Sequence, residues 1–129
     1  MGSTFMSGSK LFPYALVLAC VAVLAIGQIL FKEFSLRLNK VGSFMALSVQ
    51  DYAVFALAGA LYAASSIIWV IALREIPLSR AYPFMALGYI LVPLAALAFY
   101  GEQLSFRYFL GVCIIIVGLM VTASPGPTE

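Results

Sequence analysis

The stretch Arg74–Pro93, REIPLSRAYPFMALGYILVP, passes from a short charged turn directly into an apolar segment that carries prolines and tyrosines. Arg74, Glu75 and Arg80 enclose only a few uncharged residues, so the chain can leave a membrane and re-enter it within one turn. Two antiparallel helices joined at this turn are the expected result.

The two prolines of this stretch have different consequences. Pro83 is expected in the first turn of the second helix, where a missing N–H is tolerated, whereas Pro93 lies well inside that helix. Pro93 cannot donate to the carbonyl of Tyr89, so a break or bend is predicted there, and Gly88 should loosen the same region. Gly88 and Pro93 are therefore the candidate hinge. In lipid such a break survives only where it is buried in protein or lines a cavity.

The composition is that of a membrane protein. Of the 129 residues, 64% are hydrophobic and only 9% are charged, whereas soluble proteins average about 25% charged residues. Mean hydropathy is +1.11. Four runs have no charged residue and reach the length of about 20 that one membrane crossing needs: 11–31, 52–73, 81–101 and 108–128. The sequence predicts an all-α membrane protein, a bundle of four transmembrane helices.

The predicted organisation is a single membrane domain over residues 10–124. Residues 1–9 are Gly- and Ser-rich and are interpreted as a tag or a disordered N-terminus, and 125–129 as a tail. Apolar residues recur at helical spacing beyond Phe31, so the first helix should continue as an amphipathic extension in which Glu33 pairs with Arg37. Ser105 is the expected N-cap of the fourth span. The predicted spans are about 11–31, 52–73, 81–100 and 106–123.

Several function classes are disfavoured by the composition. The chain has no histidine and no glycine-rich phosphate loop, and Cys20 and Cys113 lie inside spans, so we expect no enzyme, no metal and no cofactor. A net charge of +2 does not suggest a nucleic-acid partner. Three basic residues are expected on one side of the membrane and four on the other, which leaves a single or a dual orientation open.

The polar residues near membrane depth are the candidate site, because such residues are costly in lipid. Gln28 and Lys32 are one helical turn apart on one face, a donor-rich pair suited to an anion such as phosphate. Two simpler interpretations stay open. Lys32 can snorkel to the headgroups, and Gln28 can make an ordinary hydrogen bond between helices.

Tyr82, Tyr89 and Glu102 complete the candidate substrate-binding set. The two tyrosines are seven residues apart on one face of span three and could line a cavity. The alternatives are a place in the interfacial aromatic belt for Tyr82 and core packing for Tyr89. Glu102 precedes span four, where stabilisation of a carboxylate at a helix N-terminus is the simpler explanation.

Gly111 and Gly118 lie seven residues apart in span four and form a flat stripe along one helix face. Small residues in this arrangement allow close helix contact in lipid. The stripe serves either as a dimer seam or as a packing surface within the chain.

Several of these residues carry a resemblance to a known group. Gly27-Gln28 with Lys32, Ile76–Pro83, Tyr100-Gly101-Glu102, and Gly111 to Gly118 resemble the four-helix, EamA-like members of the drug/metabolite transporter superfamily. The likeness is greatest to the subunits of the aminoarabinose-phosphoundecaprenol flippase. It implies a four-helix subunit that works as a homodimer or heterodimer in the bacterial inner membrane and moves a polyprenyl-phosphate-linked sugar.

Two other functions are weighed against this one. The small multidrug resistance proteins share the architecture, but they carry a glutamate in the middle of span one for cationic drugs. No acid occurs here between Tyr14 and Ile26, which argues against a proton-coupled exporter of cations. The other alternative is an accessory subunit that has no transport path of its own.

Overall fold

Helices follow the apolar runs of the sequence throughout residues 11–123, the part of the chain that the computed structural model describes. No strand occurs within that range. The proposed N-terminal tag and the tail at 125–129 lie outside the described residues. The helices are α1 Phe12–Val41, α2 Val49–Leu73, α3 Leu78–Met85, α4 Gly88–Tyr100 and α5 Phe106–Ala123.

Within residues 11–123, three helical segments are long and apolar enough to cross a membrane: α1, α2, and α3 with α4 taken together as Leu78–Tyr100. The fourth segment, α5, is apolar but shorter. It begins after Ser105, whose hydroxyl accepts a hydrogen bond from the Tyr108 N–H at 3.2 Å, as expected of an N-cap. The chain is therefore an all-α, multi-pass membrane protein with four helical segments.

The first two helices are joined tightly at one end of the bundle. The predicted extension beyond Phe31 belongs to α1, and the expected Arg37–Glu33 ion pair forms at 2.9 Å. Arg37 also reaches Asp51 of α2 at 3.0 Å, and Asp51 forms a capping box with Ser48. A 3₁₀ turn, Phe44–Ala46, connects the two helices.

At the opposite end of the bundle, the charged turn of the Arg74–Pro93 stretch packs against a small apolar core. Val17 and Ala72 are fully buried there together with Ala81, and Ile76 of the turn is nearly so. Side chains this small let α1, α2 and α3 approach one another, which is how helices associate in lipid. The turn is thus anchored by packing of its apolar residue Ile76.

The interruption of the third span lies earlier than the sequence predicted. α3 ends at Met85 and α4 begins at Gly88, so the break falls at 86–87, whereas Pro93 lies within a continuous helix. Across the break the N–H groups bond three residues back instead of four, as in Leu87 to Phe84 at 3.1 Å. The expected position of Pro83 is also wrong, because α3 begins at Leu78 and the proline is its sixth residue.

Pro93 stays helical because another helix supplies the missing donor. The Tyr89 carbonyl, which a residue at position 93 would normally bond, accepts a hydrogen bond from the Tyr108 hydroxyl of α5 at 2.6 Å. In a membrane a backbone carbonyl without a donor is costly, so this bond removes the reason for a break at the proline.

Tyr108→Phe is expected to destabilise the protein by about 0.6 kcal/mol, with an upper bound of about 1.7 kcal/mol, the measured range for hydrogen bonds between membrane helices. Amide exchange should rise locally at 89–94. In a Pro93→Ala background the new N–H can donate to Tyr89, so the same substitution should cost less there. An equal cost in both backgrounds, measured by denaturant unfolding in one detergent, would show that the hydroxyl does not compensate for the proline.

Candidate functional site

A cleft of about 710 Å³ lies between α1, α2 and the two helical segments that follow, with α5 closing part of one wall. Its walls are mostly apolar, and its polar side chains are Gln28 and three tyrosines. Pockets of this size and composition commonly hold small-molecule or lipid ligands. The lining residues are Val21, Leu24, Ala25, Gln28, Tyr62, Tyr82, Met85, Ala86, Gly88, Tyr89, Val92, Pro93, Ile115 and Leu119.

The cleft brings together part of the set of residues singled out in the sequence. Lys32 and Glu102 do not line it, and they form an ion pair with each other one helical turn beyond Gln28. The two glycines of α5 do not line it either. The singled-out residues that do are Gln28, Tyr82, Gly88, Tyr89 and Pro93.

Gln28 is held by a neighbour on α2. Its amide donates a hydrogen bond to the Tyr62 hydroxyl, so the ordinary bond between helices that was weighed for Gln28 does form. A Cβ on Gly27 would lie 2.9 Å from the Tyr62 ring, which explains why α1 has a glycine at this point. Phe31, one turn along α1, also packs against this ring, with a centroid distance of 5.3 Å.

Tyr82 and Tyr89 line the cleft from α3 and α4, one before and one after the break at 86–87. Both rings are more than half exposed, and Tyr82 stands edge-on to Trp69 with ring centroids 6.3 Å apart. Core packing therefore does not describe Tyr89. Any movement at the break would change the distance between the two rings.

Two contacts, from Tyr100 and Glu102, join the end of α4 and the connection that follows it to α1; together they are called the clasp. Gly101 ends α4 in the left-handed conformation, φ 64°, which reverses the chain. On one side of it the Tyr100 hydroxyl donates to the Ile29 carbonyl at 3.1 Å, and on the other Glu102 Oε1 pairs with Lys32 Nζ at 2.7 Å. The Tyr-Gly-Glu motif is thus a double contact to one turn of α1.

The arrangement has the features of a site that binds a ligand. It has an apolar volume, hydroxyl and amide groups along the walls, and an exposed ion pair beyond one end. Among the described residues no group of three or more His, Cys, Asp or Glu side chains could hold a metal ion. Cys20 is buried, with its thiol donating to the Ser65 carbonyl at 3.3 Å.

Two tyrosines of this region, Tyr62 and Tyr108, were missed in the sequence. Tyr100 was named as part of the Tyr-Gly-Glu motif, but its contact with α1 was not predicted. The sequence did offer a signal for Tyr62. Its hydroxyl lies in the apolar centre of α2, where it needs a hydrogen-bond partner, and small residues on α1 and α2 leave space for the ring. Tyr108 gave no comparable signal, and the motif did not indicate what Tyr100 contacts, because tyrosines at span ends are ordinary. Their partners are backbone carbonyls, which sequence cannot assign.

The glycine stripe of α5 meets no other part of the described chain. A Cβ added at Gly111 or Gly118 would find nothing within 4 Å. Within the described residues, neither glycine is therefore needed for the close approach of another helix.

Comparison with known proteins gives a match over most of the chain. The probable 4-amino-4-deoxy-L-arabinose-phosphoundecaprenol flippase subunit ArnF of Sodalis glossinidius is 33% identical over 118 residues, covering 87% of this chain and 91% of the relative. The chain belongs to this family of flippase subunits. The resemblance found in the sequence is thus confirmed.

Relatives named as the ArnE subunit match over a shorter region. Those of Yersinia pseudotuberculosis and Yersinia pestis are 44% and 42% identical over 55 residues, which is 43% of this chain. The chain spans about half the length, 48%, of these ArnE relatives. No protein-family model and no solved structure matches the chain. Membership of the flippase-subunit family thus depends on the longer ArnF match.

Proposed function

We propose that the chain is a subunit of a flippase that moves an undecaprenyl-phosphate-linked amino sugar across the bacterial inner membrane. The observation that carries this proposal is the match to ArnF over 87% of the chain. The name of that relative supplies the substrate class, a sugar with an amino group joined through phosphate to a long polyprenol.

The cleft suits such a lipid. Its apolar walls can accommodate part of a polyprenyl chain, and Gln28 and the tyrosines supply hydrogen bonds to sugar hydroxyls. Lys32 is the proposed partner of the phosphate, since its ammonium group lies one turn from Gln28 and its side chain is 43% exposed. Glu102 accompanies it in the same ion pair.

The proposed transport step is alternating exposure of this cleft to the two sides of the membrane. The break at 86–87 divides the wall that carries Tyr82 and Tyr89, so a change of angle there would widen or narrow the cleft. Gly88 begins the second half of this wall and remains the proposed hinge. Pro93 is proposed to contribute only when the Tyr108 bond opens.

A second subunit completes the proposed transporter, either an identical chain or a related four-helix protein. Gly111 and Gly118 support this, because the stripe they form on α5 is open in the described chain and suits close contact between helices. The relatives are themselves named as subunits.

An exporter of cationic drugs or small metabolites is the second candidate. One observation favours it: three tyrosine rings line the cleft, and aromatic faces attract cations. However, the described lining residues include no acid to balance a bound cation, and the full-length match is to a flippase subunit. An accessory subunit without its own path would have no use for such a cleft.

Thermal unfolding of the purified, detergent-solubilised chain tests the proposal. A ligand that binds only the folded state must raise its stability, so saturating undecaprenyl phosphate should raise the unfolding temperature, with about 2.7 kcal/mol gained at 100 times its Kd. Tetraphenylphosphonium, a hydrophobic cation, should have little effect. Stabilisation by the cation alone would favour the exporter, and a response to neither ligand would favour the accessory subunit.

A further inference from the structure

The ion pair between Lys32 and Glu102 joins two parts of the chain that border the cleft. Lys32 belongs to α1, and Glu102 to the connection that follows α4, with 2.7 Å between Nζ and Oε1. Both side chains are about two-fifths exposed, at 43% and 42%. The Tyr100 bond to the Ile29 carbonyl lies beside it, so the pair is half of the clasp described above.

An exposed ion pair of this kind is easily exchanged for other partners. Such pairs contribute little to stability, because water competes for both charges. A ligand with a single charge that binds one member leaves the other without its partner. A ligand that carries both charges can bind Lys32 and Glu102 together, and no charge is then left unmatched.

The charges around the pair do not favour a plain anion. This end of the bundle has four basic residues, but it also has Glu33, Asp51 and Glu102. Arg37 is already bonded to both Glu33 and Asp51. A phosphate arriving at Lys32 would therefore meet a neighbouring carboxylate, whereas a headgroup with an additional ammonium group would be complementary to it.

We infer that Lys32 and Glu102 together recognise a zwitterionic headgroup, in which the phosphate binds Lys32 and a protonated amine on the sugar binds Glu102. This inference rests on the proposed function and specifies the chemistry of its site. In a sugar joined to phosphate at its anomeric carbon and carrying nitrogen at position 4, the two charges lie across the ring from each other. Binding both therefore requires the two side chains to separate.

Separation of Lys32 from Glu102 affects the contact between α4 and α1. Because Glu102 directly follows Gly101 and Tyr100, movement of its side chain away from Lys32 loosens the connection between α4 and α1. Headgroup binding thus breaks the ion pair between Glu102 and Lys32 at the end of the cleft. A ligand without the amine leaves this ion pair in place.

The test measures binding of three lipids with the same undecaprenyl tail to the full chain in nanodiscs. They are undecaprenyl phosphate, the 4-amino-arabinose phosphate lipid, and its N-acetylated form, which has lost the positive charge. Wild type should bind the amine lipid about ten-fold or more tighter than the acetylated one, as expected for one charge-assisted hydrogen bond. Glu102→Gln should reduce that ratio to within about two-fold, because an uncharged amide cannot pair with the ammonium group as a carboxylate does.

Glu75→Gln is the matched control, an exposed glutamate in the turn at the other end of the bundle, and it should keep the wild-type ratio. If wild type binds the amine and acetylated lipids equally, the inference is wrong. This comparison uses only the wild-type protein, so it does not depend on whether a variant folds. The same holds if Glu102→Gln keeps the full preference. In either case continued binding of undecaprenyl phosphate leaves the proposed function standing, whereas binding of none of the three lipids overturns both.

Discussion

Lys32→Ala is expected to lower transport of the lipid-linked amino sugar by about 10- to 100-fold, the loss that corresponds to one hydrogen bond to a charged group. The ammonium group is the proposed partner of the phosphate, and alanine offers no replacement. Lys32→Arg should retain much of the activity, since the charge stays. Transport can be followed as the appearance of the sugar amine at the outer face of proteoliposomes, using a membrane-impermeant amine-reactive reagent and including the second subunit if it is required.

Two further variants separate the loss of a phosphate ligand from the loss of an ion pair. Lys40→Ala removes an exposed lysine about two turns further along α1 and should transport normally. In Lys32→Ala with Glu102→Gln, no carboxylate is left without a partner, yet the phosphate ligand is still missing. Recovery of transport in the double variant would show that Lys32 only neutralises Glu102, and unaltered transport in the single variant would remove Lys32 from the site.

Gly27→Ala is expected to destabilise the protein by about 1 to 3 kcal/mol, the usual cost of adding a methyl group to a filled contact. The new Cβ would lie 2.9 Å from the Tyr62 ring, which also packs against Phe31. The ring must therefore shift, and its hydrogen bond to Gln28 should be lost with it. Denaturant unfolding in one detergent measures the first effect, and weaker binding of undecaprenyl phosphate measures the second.

Gly59→Ala provides the comparison, because Gly59 lies in the middle of α2 with nothing within 4 Å of an added Cβ. That substitution should be neutral, or stabilising by up to about 1 kcal/mol, from helix propensity alone. Combining Gly27→Ala with Tyr62→Leu removes the ring that clashes, so the pair should cost less than the sum of the single changes. Strict additivity would mean that the contact between Gly27 and Tyr62 does not determine the stability.

The fold was largely predictable because the membrane imposes length and polarity on each segment. Four apolar runs in the sequence became four helical segments, and Ser105 and the Arg37–Glu33 pair behaved as local rules require. The exception was the third span. Proline rules placed the break at Pro93, but they consider only one helix, and the hydroxyl of Tyr108 comes from another.

The candidate site was only partly predictable. Helical spacing put Tyr82 and Tyr89 on one face of span three, and both line the cleft together with Gln28, whereas Lys32 does not. It could not show that Gln28 bonds Tyr62, or that Lys32 pairs with Glu102 seventy residues away, because both contacts depend on how distant helices pack. The sequence indicated Lys32 and Glu102 as separate candidates, and only the structure shows that they form an ion pair.

The sequence by itself determined that this protein is an all-α membrane protein of four helical segments, since hydrophobic length and charge distribution act on each segment locally. It also identified the family, because short motifs and their spacing can be recognised without knowing which residues are in contact. Tertiary structure alone decided where the third span is interrupted and which polar groups meet. The reason is that a hydrogen bond or ion pair in a membrane protein depends on the approach of two helices, and that approach is set by small residues such as Gly27 packing against partners far away in the chain.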